Sequence, residues 1–341
     1  MTRRLRMGVP LCALAVAAIA AGCGSSSSSS KASSSSGASS SAGSSGSSGK
    51  TYHVVYIPGL TGNPFYSTVA CGAKSVAPQM HVKFSVQGAP TFAVNAQTPV
   101  VNAVTATHPD AIMISNDDPK GMIPPLLQAQ RAGIKIVNID GDLAEKSVGV
   151  TNIQSDNAYG GQLAGQAMGK LIGGKGTVAI IDNDPGFPIS EARVAGFMQA
   201  MKQYPGVKVL GVQYSHNETS NAASIVSSTA AAHPDFAGVY TVETNNTEGA
   251  ITGARDAHVV GKLKIVGYDT SDPIVKGIQD GTVSADIVQY PYGEGQVGLQ
   301  SAVKAIQGQS VPREQTQPFV VATKANVNTA NVQRFIYKTS C

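Results

Sequence analysis

The stretch Tyr52–Tyr66, YHVVYIPGLTGNPFY, places a carboxamide and two aromatic rings close together at Asn63, Phe65 and Tyr66. Aromatic faces cover apolar C–H surface, and a carboxamide both donates and accepts hydrogen bonds. Two carboxylates close apolar runs elsewhere: Asp140 follows IKIVNI and Asp269 follows LKIVGY. Each residue also has an ordinary structural use. Asn63 caps a helix, Phe65 and Tyr66 could face a core, and an Asp at a strand end forms turns. Motifs for covalent or metal chemistry are missing: there is no G-x-S-x-G elbow, the six His residues have no ligand spacing, and the four Cys form no CxxC pair. Gly173-Gly174-Lys175-Gly176 precedes a strand and lacks the spacing of a phosphate loop. No cofactor or metal is expected.

The elements that must hold these side chains follow from periodicity. Tyr52–Ile57 is an apolar, β-branched run that reads as a buried strand; Pro58, Gly59 and Gly62 break it, and Asn63-Pro64 opens a helix to about Pro78. Strands are expected at 81–87, 111–115, 134–139 and 148–151, with helices from about Thr98 (Pro99 in its first turn) and over 125–132. A capped helix from Ser155-Asp156 to Ile172 restarts the pattern. Strands at 177–181, 207–213, 238–241, 263–267 and 285–288 then alternate with helices at 189–204, 220–232, 246–257 and 273–280. A helix at 293–307 and a strand at 319–322 complete the body. Strand–helix alternation means parallel sheets, and so many strands divide better into two similar lobes than into one sheet. Ligands of such sheets gather at the carboxyl ends of the strands, where Asn63, Phe65 and Tyr66 stand.

The first fifty residues read differently. Arg3, Arg4 and Arg6 precede an apolar run from Val9 to Ala21, and Ala20-Ala21-Gly22 precedes Cys23, as in a secretory signal. The run is too short for a spanning helix, which takes ~20 residues. It resembles a bacterial lipoprotein signal in which Cys23 becomes the lipidated first residue, although Ala20 stands where that pattern prefers Leu. Cleavage without lipidation is the alternative. Residues 24–50 are nearly all Ser, Gly and Ala, a flexible tether with a reach of ~30 Å. Formal charge is +4, or +1 once the three signal arginines are set aside (4 − 3), and no basic run supports nucleic-acid binding. With Cys12 in the signal and Cys23 lipidated, Cys71 and Cys341 remain in an oxidising compartment, where they are expected to bridge; two separate thiols are the alternative.

The ordered series NPFY, IVNID, SDN, EARVAGF, HPDFAGVY, IVGYD and VSADIVQ, from about Tyr52 to Lys324, resembles the ribose-binding-protein-like periplasmic binding proteins of sugar ABC transporters. The resemblance implies two doubly wound α/β lobes joined by three crossing strands, residues 50–155 with 290–318 and residues 156–289 with 319–341, closing on ligand by hinge motion. It implies ligand contacts at Asn63, Phe65, Tyr66, Asp140, Arg193, Asp269 and Gln289, and places Asn217 and Glu243 at two further contact positions. Three positions depart from the ribose binders. Gly141 replaces an arginine, Asn217 a phenylalanine, and Glu243 an asparagine; Thr244 or Asn245 is the alternative contact there.

Carboxylates accept sugar hydroxyls, arginine donates in a fixed fork, and rings cover the C–H patches. With Asp140, Asp269 and Glu243 against Arg193, the site favours a neutral monosaccharide or polyol over a phosphorylated or carboxylated ligand, with an amine-bearing one as a minor option. The expectation is a non-enzymatic, monomeric receptor, lipid-anchored outside the cell membrane, that delivers its ligand to an ABC permease. The alternatives are a receptor for a membrane signalling partner and a secreted carbohydrate-active enzyme using Asp140 and Asp269 as acid and base. A transcriptional regulator of this architecture would need a helix-turn-helix, which the sequence lacks.

Overall fold

A computed structural model describes residues 50–341. The expected signal, Cys23 and most of the tether lie outside the described residues. In chain order the first elements are β1 (Tyr52–Ile57), α1 (Pro64–Val76), β2 (Val82–Val86), α2 (Val94–Ala106), β3 (Ala111–Ile114), α3 (Ile123–Arg131), β4 (Lys135–Ile139) and β5 (Thr151–Ser155). They are followed by α4 (Asn157–Leu171), β6 (Lys175–Asp182), α5 (Pro188–Met201), β7 (Gly206–Tyr214), α6 (Thr219–Ala232) and β8 (Phe236–Thr241). Next come α7 (Thr244–Asp256), β9 (Lys264–Tyr268), α8 (Asp272–Asp280), β10 (Ala285–Val288), α9 (Pro291–Ile306), β11 (Glu314–Gln317), β12 (Val320–Ala322) and α10 (Ala330–Gln333).

These strands make two six-stranded sheets, β11-β5-β4-β3-β1-β2 and β12-β10-β9-β8-β6-β7, so strand follows strand in the same order in both. All recorded pairs are parallel except β10–β12. Central strands are buried on both faces, as helix-covered parallel sheets require. Val54, Tyr56, Met113, Val137 and Ile139 face α1 and α9, while Val55, Ile57, Ile112, Ile114 and Ile136 face α2 and α3. In the second sheet Val178, Ile180, Tyr240, Val266 and Tyr268 pack with Phe197 and Met168 of the α5–α4 layer. The chain passes between sheets at β5 to α4, β10 to α9, and β11 to β12.

The structure corrects four expectations. Helix α2 begins at Val94, so Pro99 lies inside it rather than in its first turn. Tertiary bonds start it early: the Asp117 carboxylate accepts from Ala93 N–H at 2.8 Å, and Gln97 donates to the Ser115 carbonyl. The strand expected at 148–151 is β5, four residues on at its far end, because Gly149 at φ +87° forms a turn before it. The polar strand β11 (EQTQ) was not expected, having no apolar alternation; backbone pairing to β5 makes it. Finally, the chain end does not stay with the second sheet: Lys338 N–H donates to Thr68 Oγ1 on α1, and Cys341 is disulfide-bonded to Cys71.

Candidate functional site

Because strand order matches in the two sheets, β4 and β9 occupy the same place, and each delivers an aspartate past its last residue. Asp140 N–H donates to the Ile153 carbonyl and Asp269 N–H to the Ile287 carbonyl, the equivalent bond to the next strand. Both residues adopt the left-handed region, φ +46° and +67°, which turns their carboxyls over the sheet edges. Between those edges lies a cavity of about 330 Å³. Its wall includes all nine of the expected contact residues: Asn63, Phe65, Tyr66, Asp140, Arg193, Asn217, Glu243, Asp269 and Gln289.

On the first side, Asn63 Oδ1 caps α1 by accepting from Phe65 N–H at 2.8 Å, which leaves its amide group to the cavity. The Phe65 ring is nearly buried and meets Tyr66 edge-on at 5.4 Å. Asp140 Oδ1 is buried without a partner. Burial pushes the Asp140 carboxyl up to about 7; Arg193 opposes that rise and Asp269 adds to it. Behind it, Glu294 of α9 is fully buried, accepts from Ser155 Oγ at 3.3 Å, and is raised well above the carboxylate range by burial and by Asp140.

On the second side, Arg193 is 4% exposed and is held by two hydrogen bonds and a ring face. Its Nε donates to Asn157 Oδ1 and an Nη to the Val242 carbonyl, both at 2.8 Å, and the guanidinium lies 3.9 Å over the Tyr268 ring. Its ion partner is Asp269 at 3.7 Å, while Glu191, two residues earlier on α5, accepts from Gly186 N–H in its own loop. Burial works against the Arg193 charge, but Tyr268, Asp269 and Asp140 outweigh it and hold the group protonated. Asp269 Oδ1 accepts from Gln289 Nε2 at 2.8 Å; the Gln289 carbonyl oxygen, on a residue 1% exposed, has no partner. Glu243 caps α7 through Asn246 N–H at 2.9 Å, and burial raises its carboxyl to about 7. Asn217, at φ +58°, accepts from Asn245 Nδ2 at 3.0 Å.

The cavity wall thus carries four carboxyls, with Asp184 the fourth, against one guanidinium, and its unpaired buried atoms are acceptors. Such a wall suits an uncharged occupant rich in hydroxyl donors. Sequence reasoning missed Phe92 and Phe187, which lie in the wall with ring centroids 6.0 Å apart. Phe187 had a signal: it sits before α5 as Asn63 sits before α1, each just ahead of a helix-opening proline. Phe92 and Tyr337, whose hydroxyl donates to Asp269, had none. Among the described residues no group of three or more His, Cys, Asp or Glu could hold a metal ion, and no helix is long and apolar enough to cross a membrane.

Comparisons with known proteins agree with this layout. The family model described as periplasmic binding protein domain matches residues 54–310. The D-ribose/D-allose-binding protein of Pseudomonas aeruginosa is 28% identical over 79% of this chain and 86% of its own. A solute-binding protein from Agrobacterium vitis, solved with alpha-D-tagatopyranose, is 33% identical over 84% of this chain and 99% of its own, with TM-score 0.80. One from Actinobacillus succinogenes with bound D-allose is 26% identical over 80% and 98%, with TM-score 0.76. The chain belongs to the periplasmic binding protein domain family, in the type whose two parallel-sheet lobes face each other across a cleft.

Proposed function

We propose that this chain is an extracytoplasmic receptor that captures a neutral monosaccharide or polyol in the cleft and delivers it to an ABC importer. The observation that carries the reading is the composition of one cavity wall: two sheets contribute Asp140 and Asp269 from equivalent strand ends, beside Arg193, Gln289 and the Phe65 and Tyr66 rings. Hydroxyls donate to the carboxyls and to the Gln289 carbonyl, while the rings cover the C–H face. Four carboxyls against one guanidinium repel a phosphorylated or carboxylated sugar. The relatives' sugars, tagatose and allose among them, are of the neutral kind. The protein binds without turnover. Residues 50–155 with 290–318 form one lobe and 156–289 with 319–341 the other, whose last residues reach across to α1, and Cys23, lipidated, anchors the monomer to the outer face of the cell membrane through the Ser/Gly tether.

Thermal unfolding of the purified protein against D-ribose, D-allose, D-arabinose, D-fucose, D-tagatose, polyols, amino acids and sugar phosphates tests this. A sugar at 100 times its dissociation constant stabilises by ~2.7 kcal/mol and raises the midpoint by several degrees. A shift with neutral sugars or polyols is expected. A shift confined to amino acids or phosphates, or none at all, overturns the assignment.

A further inference from the structure

Behind the cleft, the end of the chain leaves the second sheet and finishes on the first. Tyr337 follows α10; its backbone N–H donates to Thr270 Oγ1 at 3.0 Å and its hydroxyl to Asp269 Oδ1 at 2.5 Å. The same ring meets Phe65 edge-on at 5.6 Å, on the other side of the cleft. One residue later, Lys338 N–H donates to Thr68 Oγ1 of α1 at 2.6 Å, and Cys341 is bonded to Cys71, less than one turn farther along α1. Tyr337 alone therefore touches a carboxylate of one wall and a ring of the other, and the next four residues run from it to the bridge. Among the described residues no hydrogen bond holds Thr339, Ser340 or Cys341, and all three are exposed, so the bridge is what fastens this end.

We propose that Tyr337 is a positioning residue for the cleft, and that Tyr337–Cys341 is a strap, buckled by the Cys71–Cys341 bridge, that fixes Asp269 and Phe65 relative to each other. The inference rests on the reading of the cleft as a sugar site. Asp269 Oδ1 takes two donors, Gln289 Nε2 and the Tyr337 hydroxyl, which stops the carboxylate from rotating and leaves Oδ2 beside Arg193 for the occupant. Burial, and then Asp269 itself, keep the Tyr337 phenol protonated, so it remains a donor at every physiological pH. An acceptor held in place before binding loses less freedom when the sugar arrives, and affinity gains accordingly. Three covalent crossings join the sheets; the strap is a further tie whose closure depends on a bond formed after folding brings residues 270 apart in sequence together.

Tyr337→Phe keeps the ring against Phe65 and removes only the hydroxyl. Titration calorimetry with the tightest of the five sugars is expected to show affinity reduced about tenfold in Tyr337→Phe. In an Asp269→Asn background the same change should add almost nothing, the mark of a residue acting through Asp269. The paired variant Cys71→Ser/Cys341→Ser is expected to lose severalfold in affinity and to speed hydrogen exchange at the Lys338 amide and along Phe65–Thr68 in the sugar-free protein. Unchanged affinity in Tyr337→Phe, or a loss that adds in full to that of Asp269→Asn, overturns the positioning role. If the wild type binds none of the sugars, the receptor reading fails separately, and the exchange arm still decides the strap: unaltered exchange in the paired variant refutes it.

Discussion

At the residue level the site depends on two aspartates held where aspartate is seldom held. A residue with an ordinary Cβ pays ~1 kcal/mol or more in the left-handed region, a cost that the short polar side chains of Asp and Asn reduce, and Asp140 (φ +46°) and Asp269 (φ +67°) adopt it at equivalent strand ends. Asn adopts the same region readily, so Asp140→Asn separates charge from backbone. It should weaken sugar binding by ~2 kcal/mol in titration calorimetry while leaving the midpoint of the sugar-free protein unchanged or higher. Asp140→Ala should lose similar affinity and, lacking the side chain that tolerates this backbone, also ~1 kcal/mol of stability. The pH dependence has a definite sign. Burial raises Asp140, Glu243 and Asp117 to about 7, above their unfolded values of about 4, so between those limits the folded protein holds more protons than the unfolded chain. Their contribution is fully present below pH ~4 and is lost as pH rises through about 7. The midpoint of the sugar-free protein should therefore fall by a few degrees between pH 5.5 and 8. Hydroxyl donors favour the ionised carboxyl, so binding near pH 6.5 should release protons, read as heats that vary with the buffer's ionisation enthalpy. Proton uptake on binding would show that the carboxyls meet the sugar as donors instead.

At the element level, the helices that aim these side chains pack closer than side chains would allow. Gly161 of α4 lies against the Arg193 carbonyl of α5, and Gly196 of α5 against the Ala158 carbonyl of α4, so a Cβ at either position would overlap backbone oxygen. Such contact leaves room for Cα–H···O interactions and fixes α5, and with it the Arg193 side chain, against α4. Gly161→Ala should push α5 outward, lowering stability by about 3 kcal/mol by denaturant unfolding, and should weaken sugar binding through displaced Arg193. Conserved affinity despite lost stability would mean that Arg193 does not act from this position. The elements that sequence periodicity located are those whose own residues decide them: the buried runs of β1, β4 and β9, and the Asn63-Pro64 and Asp156 helix starts. The ones it misjudged are decided by distant partners. Helix α2 starts where Asp117 and Gln97 hold its first turn, and β11 exists because β5 offers an edge. In the site, Asp140 and Asp269 were legible as strand endings, whereas Tyr337 approaches Asp269 from 68 positions away and nothing near it in sequence announces that contact.

At the level of the whole molecule, two sheets of the same strand order set their carboxyl edges toward one cavity, and under the proposed function the contacts across that cavity govern how long a sugar stays. Phe92 precedes α2 of the first sheet and Phe187 precedes α5 of the second; both rings are more than a third exposed, and their centroids lie 6.0 Å apart at a 43° tilt. The Phe92 loop is anchored from below, since Ala93 N–H donates to Asp117. An aromatic pair contributes ~0.5–1.5 kcal/mol beyond its buried area. Under the proposed function, in which the lobes close over a sugar, this pair forms only when the two loops are together, so its energy belongs to the closed state and opposes reopening rather than aiding capture. Phe187→Ala should therefore speed sugar dissociation about tenfold and leave the association rate nearly unchanged, as stopped-flow or surface-plasmon measurements would register. Phe92→Ala should do the same, and the double variant should be little faster than either single one, because each ring acts through the other. A fall in association rate with dissociation unaltered would instead assign the rings to the open form, as a surface on which the sugar first lands.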